Sequence, residues 1–386
     1  MARALSVSLF GIFSAALNLV VILASLSDIG ISAGAVNFVS GHTAKGEHEK
    51  ANEYIKASFL IRLVTILVIS AVVIIFAPLV SVKLLATRDP MIAIWSGILP
   101  IFLFPDMFFP SILRAKNKFL HSTVIDNAFY IARLVFALAF YLVGGLTISV
   151  GFLAFGAGFI VEVILILYYL KADFLKSKPQ VAEYKNLVKF SGWLGVNSIV
   201  SSIGGRVDVQ MVAAMLGAMA TGIYSIPSRL ASFITVLISS FSSVLAPRFA
   251  SFDDKEREKA YLIKSTLALI PITVGIIFWI IIAKPFILIL FGTKYIESVP
   301  VFQALAAAQI PALFSIPSVT AIVYSMKKTV YIGAYSFFQT AAILILDFVL
   351  IPKYGLYGPT ITFAVINIVS VIYTWVIVIR HYWLKK

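Results

Sequence analysis

The chain of 386 residues contains no cysteine, so a disulfide framework, a thiolate metal site, an iron-sulfur cluster and a cysteine nucleophile are all excluded. Charge is scarce as well. Asp, Glu, Lys and Arg together make up 12% of the residues against about 25% in a soluble domain. Acids are the scarcer sign, 17 against 31 bases, for a formal net charge of +14. Histidine occurs four times, at His42, His48, His121 and His381, all in connectors or at the tail. No P-loop, HExxH or dinucleotide fingerprint is present, and the adjacent acids Asp253-Asp254 stand in a mixed-charge connector that reads as a solvated loop. These absences count against an enzyme and supply no candidate metal site or cofactor.

What is there is apolar, 61% of the residues. Uncharged stretches of about 18 to 25 residues recur from end to end, each long enough to cross about 30 Å of hydrocarbon as a helix. Spans are expected near 6–27, 57–79, 91–113, 122–143, 147–170, 187–216, 219–245, 261–291, 299–325, 329–351 and 355–380. The fold class is therefore all-α and polytopic. The first run, Leu9 to Leu26, leads into Ser27-Asp28-Ile29-Gly30 without a small-residue cleavage site and reads as a span rather than a leader. The connectors alternate in charge: one set holds 21 basic residues, the other only Lys83, Arg88, Lys294 and Lys353. The positive-inside rule places the richer set, including 41–56, 171–186, 251–260 and the C-terminal tail, in the cytoplasm. With eleven spans, Met1 falls on the outer side. In a membrane chain this basic excess implies no nucleic acid.

The chain also repeats itself. A shift of 211 lays Gly11-Ile12-Phe13-Ser14 on Gly222-Ile223-Tyr224-Ser225, Leu19 on Leu230, Leu26 on Leu237, Phe38 on Phe249 and Pro100 on Pro311. Six crossings separate the copies, so both have the same orientation, as in transporters whose halves flank a central cavity. The organisation expected is a first lobe over 1–170, a cytoplasmic linker over 171–186 and a second lobe over 187–386. The partner of the span 187–216 would precede residue 7, so the first copy lacks its opening helix: either an upstream start or a shortened copy is expected.

The order and duplication of these fragments resemble the polysaccharide and lipid-linked oligosaccharide flippases of the multidrug/oligosaccharidyl-lipid/polysaccharide exporter superfamily. The fragments are Ala2-Arg3-Ala4-Leu5 with Phe10-Gly11-Ile12-Phe13-Ser14, Ser27-Asp28-Ile29-Gly30, Val36-Asn37-Phe38-Val39-Ser40, Arg206-Val207-Asp208, Gly222-Ile223-Tyr224-Ser225 with Arg229-Leu230, and Ala246-Pro247-Arg248-Phe249. The resemblance covers Ala2 to the C-terminus and implies two parallel six-helix lobes around a cavity. It also implies movement of a polyisoprenyl-(di)phosphate-linked sugar across the cytoplasmic membrane by alternating access, with membrane lipids and a glycan polymerase or transferase as partners. The alternative is a cation-coupled drug or metabolite exporter of the same fold.

Charges inside spans cost several kcal/mol in lipid unless paired, snorkelling or facing a wet cavity, so they are the candidate site. They are Arg62, Asp106, Asp126, Arg133, Glu162, Arg206, Asp208, Arg229, Lys284 and Asp347. Arg62 and Lys284 lie near span ends and are expected to snorkel. Arg229, whose repeat mate is Asn18, is either a substrate-facing residue or part of a structural ion pair. Arg133 shares one helical stripe with Asp126 and Tyr130, and its guanidinium fork matches phosphate oxygens; a buried pair with an acid on a neighbouring helix explains it equally well. Arg206 and Asp208 complete the cavity set, and the resemblance implies that Asp208 organises the start of the second lobe. Asp28 reads as a helix-end or gating residue. Pro105, beside Asp106, and Pro311 are gating or structural kinks.

Overall fold

Alanine, serine and phenylalanine fill the interior, while Val64, Leu67, Val68 and Ile75 on one helix, with dozens of other branched aliphatics, stay exposed. That inversion of the soluble pattern suits hydrocarbon, where close backbone packing rather than an apolar driving force joins helices. The computed structural model describes residues 1–170, 173–252 and 254–384, apart from the side chain of residue 194. Lys171, Asp253, Lys385 and Lys386, which enter the charge pattern above, lie outside them. No strand occurs among the described residues. Nine helical stretches there are long and apolar enough to cross a membrane, the last of them containing two helices in series.

The chain divides into two units, Met1–Arg206 and Val207–Lys386. In the first, α1 (Val7–Leu26) starts where the Ser6 side chain accepts from the Leu9 N–H at 3.2 Å. It stops at Ser27, and the chain turns through Ile29 (φ 44) and Gly30 (φ 72) into α2 (Ile31–Ala44). The sequence reading has no separate helix there. Positive φ at a β-branched residue is a strained conformation, and it is held in place by its surroundings. Asp28 Oδ1 accepts from the Ser32 N–H at 2.8 Å, closing the first turn of α2. A Cβ on Gly30 would lie 2.6 Å from the Gly195 nitrogen, so backbone meets backbone here.

Next come α3 (His48–Ile75), α4 (Ala77–Leu84), α5 (Pro90–Ala115), α6 (Phe119–Leu142) and α7 (Ile148–Leu170). Asp89 caps α5 through the Met91 N–H at 2.9 Å, with Pro90 at the first helical position. Phe59 of α3 packs on Phe104, Phe108 and Phe109 of α5 and on Phe174, with ring centroids 5.5 to 6.3 Å apart. α8 (Val181–Gly204) belongs to this unit too, packed on α1, α2 and α3 with Leu187 in the shared core. Its start is tied to α3. Lys50 Nζ donates to Glu183 Oε1 at 3.0 Å, Asn186 to the Tyr54 hydroxyl at 3.1 Å, and Lys56 Nζ to the carbonyls of Leu175 and Ser177, both at 2.7 Å.

The stretch 187–216, expected as one span, is divided at Gly205, and its last ten residues open α9 (Val207–Ala250) instead. Within α9, Gly217 (φ 83, ψ −177) breaks the helical path. The second unit continues with α10 (Lys255–Leu267), α11 (Ile270–Ile281), α12 (Ala283–Phe291), α13 (Ser298–Thr320), α14 (Thr329–Tyr354) and α15 (Gly358–Ile379). α13 and α15 each end in a π-helical turn, Ala321–Ser325 and Arg380–Leu384. α15 is pinned to α13 around its prolines: Asn367 donates to the Ala308 carbonyl at 2.9 Å and Trp375 Nε1 to that of Phe314 at 2.8 Å. Both bonds cross helices inside an apolar bundle, where an unmet carbonyl is costly.

Candidate functional site

Three prolines, Pro100, Pro105 and Pro110, stand inside α5. Each lacks the N–H that would bond the carbonyl four residues back, so α5 is least constrained around Asp106. Asp106 Oδ2 accepts from the Tyr130 hydroxyl of α6 at 3.2 Å. One turn from Tyr130 on α6, Asp126 Oδ2 accepts from Arg114 Nη1 at 3.1 Å, and the same Arg114 nitrogen donates to Ser122 Oγ at 2.8 Å. Arg133 lies with its guanidinium carbon 3.5 Å from the Phe155 ring centre of α7, and 5.3 and 5.9 Å from those of Phe129 and Tyr130. Gly158 permits that approach, because a Cβ there would lie 2.8 Å from Arg133 Cγ. Glu162 follows one turn later on α7, fully buried. So α5, α6 and α7 bring Asp106, Asp126 and Arg133 into one polar set and add Tyr130, Arg114 and Glu162.

Two other groupings lie elsewhere. Asn18 Nδ2 donates to the Arg206 carbonyl at 2.8 Å, which engages the backbone of Arg206 within the first unit. In the second unit, Asp208 Oδ2 accepts from the Tyr224 hydroxyl at 2.7 Å, with Ser228 Oγ at 3.5 Å. Asp347 of α14 is fully buried, and neither of its oxygens makes a hydrogen bond among the described residues. Arg229 lies on an exposed face of α9, and Pro311 lies in mid-α13. Arg229 and Arg133 belong to different units.

Arg62 corrects the snorkelling expectation. It is fully buried, Nη1 donates to Ser32 Oγ at 2.8 Å, Nε lies 3.7 Å from Asp28 Oδ1, and its guanidinium carbon is 5.2 Å from the Phe104 ring centre. α3 starts at His48, well before the apolar run, so a residue near the start of that run stands 14 positions into the helix. The chemistry is an ion pair inside the bundle, aimed at the α1/α2 turn. Glu162 and Tyr224 were legible only as a charge in a span and as the repeat mate of Phe13. Nothing in the spacing assigns Tyr224 to Asp208, sixteen residues away.

A family model described as polysaccharide biosynthesis protein matches residues 1–253, about two thirds of the chain, and the chain belongs to that family. Among curated proteins it is similar to an uncharacterized membrane protein in the cps region of Klebsiella pneumoniae, 30% identical over 144 residues, 34% of this chain and 28% of that one. It is also similar to a putative O-antigen transporter of Shigella flexneri, 23% identical over 221 residues, 53% of this chain and 50% of that one. The matches thus span half or less of those relatives. Among solved structures, the fold matches an inward-facing multidrug resistance MATE family transporter of the MOP superfamily at TM-score 0.78 and 15% identity, covering 97% of this chain and 92% of the other. It matches the lipid II flippase MurJ in an inward closed conformation at 0.71 and 15%, covering 96% and 85%. The chain is a multi-pass helical membrane protein with a transporter fold, and the Shigella flexneri relative and the two solved structures are described as transporters or a flippase.

Proposed function

We propose that this protein flips a polyisoprenyl-(di)phosphate-linked sugar or oligosaccharide across the cytoplasmic membrane by alternating access, in the synthesis of a surface glycan. The observation that carries the reading is the family match over residues 1–253 joined to an arginine deep in a span: Arg133, its guanidinium carbon 3.5 Å from the Phe155 ring centre. A guanidinium presents a planar fork of donors matched to phosphate oxygens, for which lysine is a poor substitute. Arg229, Arg206, Asn18, Asp126 and Asp208 are proposed as further cavity residues, with Asp28, Asp106, Pro105 and Pro311 shaping the helices that move. The lobes follow the repeat, 1–170 and 187–386, and the C-terminus is cytoplasmic. Membrane lipids and a glycan polymerase or transferase are the partners this role implies.

The test is glycan export normalised to the amount of protein in the membrane. Arg133→Ala and Arg229→Ala should abolish it and Arg133→Lys should not restore it; unchanged normalised export would remove the phosphate-binding role. Orientation is read separately, from a chain free of cysteine background. Ser177→Cys should resist an impermeant reagent in intact cells. A second reading, a cation-coupled drug or metabolite exporter, draws support from the buried acids Glu162, Asp208 and Asp347, which would suit a cationic cargo. Resistance to cationic compounds gained on expression, without glycan export, would favour it.

A further inference from the structure

The ends of α2 and α5 leave a pocket of about 550 Å³, a size that takes a small ligand. Val36, Ser40 and Ala44 follow one another at single-turn spacing along one stripe of α2, with Gly41 beside Ser40. Arg114, from the last turn of α5, and Asn117, at φ 58 in the turn after it, complete the lining. Among the described residues Arg114 makes its hydrogen bonds through Nη1, to Ser122 Oγ at 2.8 Å and Asp126 Oδ2 at 3.1 Å, which leaves the Nε and Nη2 donors for a ligand. Lys45 and Lys116 adjoin lining residues in sequence, while the nearby acids are engaged, Asp126 with Arg114 and Glu47 with His42. Two helix C-termini would oppose an anion through bare carbonyls. Here those carbonyls are met: the N–H groups of Lys45, Gly46 and Glu47 donate to His42 and Thr43, and those of Lys116, Asn117 and Lys118 to Ile112, Leu113 and Arg114. What remains is a donor-rich, positively charged pocket suited to phosphate oxygens.

We propose that this pocket binds the phosphodiester of an anionic glycerophospholipid, with Arg114 Nε and Nη2 donating to the phosphate and Asn117 beside them. The lipid is one the protein sits in, not its cargo, and the site does not depend on the transporter reading. Its place in the fold favours a lipid: α5 ends and α6 begins here, both long and apolar enough to cross a membrane, and Phe119 and Leu120, two and three residues past Asn117, are exposed. A basic pocket at the ends of crossing helices can hold a headgroup while the acyl chains lie along apolar side chains. The second unit contains a natural control. A shift of 211 carries Ser40 and Gly41 onto Ser251 and Phe252, which with Arg248 and Arg257 line a pocket of only about 220 Å³. Phe252 stands where the first unit has no side chain, its ring centre 5.2 Å from the Arg248 guanidinium carbon. Around Gly41 nothing lies within 4 Å of a Cβ position, so a side chain added there meets open space rather than the bundle.

Native mass spectrometry of the full chain, released from detergent and titrated with dioleoyl phosphatidylglycerol, dioleoyl phosphatidylcholine or glycerol 3-phosphate, reads the site. Phosphatidylglycerol should bind about tenfold more tightly than phosphatidylcholine, as one charge-assisted contact implies. Glycerol 3-phosphate at equal concentration should not displace it. Arg114→Gln and Gly41→Phe should each weaken phosphatidylglycerol binding about tenfold, and Arg114→Lys by less, since it keeps the charge and loses the planar fork. Because Arg114→Gln also leaves Asp126 unpaired, Gly41→Phe, which keeps every charge in place, decides the matter. Equal binding of the two phospholipids, or phosphatidylglycerol binding unchanged in Gly41→Phe, overturns the site. Glycerol 3-phosphate that displaces the lipid, and is itself lost in both variants, assigns the pocket to a soluble phosphate and overturns the lipid.

Discussion

The two copies of the repeat begin alike and then diverge. In the first, α1 starts after Ser6; at the matching register in the second, Gly217 interrupts α9 and a new helical path begins. Twenty residues later the first copy breaks at Ser27-Asp28-Ile29-Gly30, whereas the second runs through Ile238-Ser239-Ser240-Phe241 and on to Ala250 without interruption. The difference lies in three residues. Asp28 closes the new turn, Gly30 accepts a left-handed conformation, and Arg62 from α3 anchors Asp28 from within the bundle. The second copy has Ser239 and Phe241 at those places; Ser239 Oγ donates to the Val236 carbonyl and the helix continues. A repeat therefore preserves helix register while leaving the bend to local chemistry and to one charged neighbour.

Breaking the anchor should have the largest effect. Arg62→Ala leaves Asp28 facing an emptied interior and should cost about 3 to 4 kcal/mol, the usual loss when half of a buried pair is removed. The thermal midpoint in detergent reads it, and adding Asp28→Asn should recover part of the loss. Gly30→Ala comes next, because it meets both a left-handed φ and the Gly195 backbone 2.6 Å away; about 3 kcal/mol is expected. Gly217→Ala sharpens the comparison, since nothing lies within 4 Å of its Cβ position and only the strained conformation is lost. Its cost should be smaller, about 1 to 2 kcal/mol on the same assay.

Grafting Asp-Ile-Gly onto Ser239, Ser240 and Phe241 should cost about 1 kcal/mol through the added glycine and raise amide exchange across 238–242. Because no second Arg62 is present there, a full turn should not form; unchanged exchange would show that the flanking helix overrides the graft. The smallest effect belongs to the strap between α3 and α8. Glu183 is pushed up by burial, but its hydrogen bonds with Lys50 and the Gln180 and Glu183 backbone outweigh this, and its carboxyl sits below the usual range. A depressed carboxyl contributes above its unfolded pKa and loses that contribution as pH falls through the lower folded value. The strap should hold at neutral pH and loosen only in acid, and Glu183→Gln should cost under about 1 kcal/mol. A spin-label distance between α3 and α8, followed against pH, measures it.

The sequence by itself determined that the chain is all-helical and where most of its apolar runs lie, because hydrocarbon thickness sets a length that a charged residue interrupts visibly; the turn into α2 and the division at Gly205 were not in it. The repeat and its register were equally legible, since both copies solve the same packing problem with the same small residues. Asp106, Asp126 and Arg133 could be singled out as costly, and the stripe on α6 was readable from helical spacing. Only the tertiary structure decided what each charge meets. Glu162 gains its meaning from helices on either side of it, and Tyr224 from an aspartate sixteen residues away. Arg62 shows the reason most plainly: hydropathy marks where the apolar run begins, not where the helix begins. A guanidinium that seemed near the water is therefore fourteen residues deep, paired to a turn that a one-dimensional pattern does not contain.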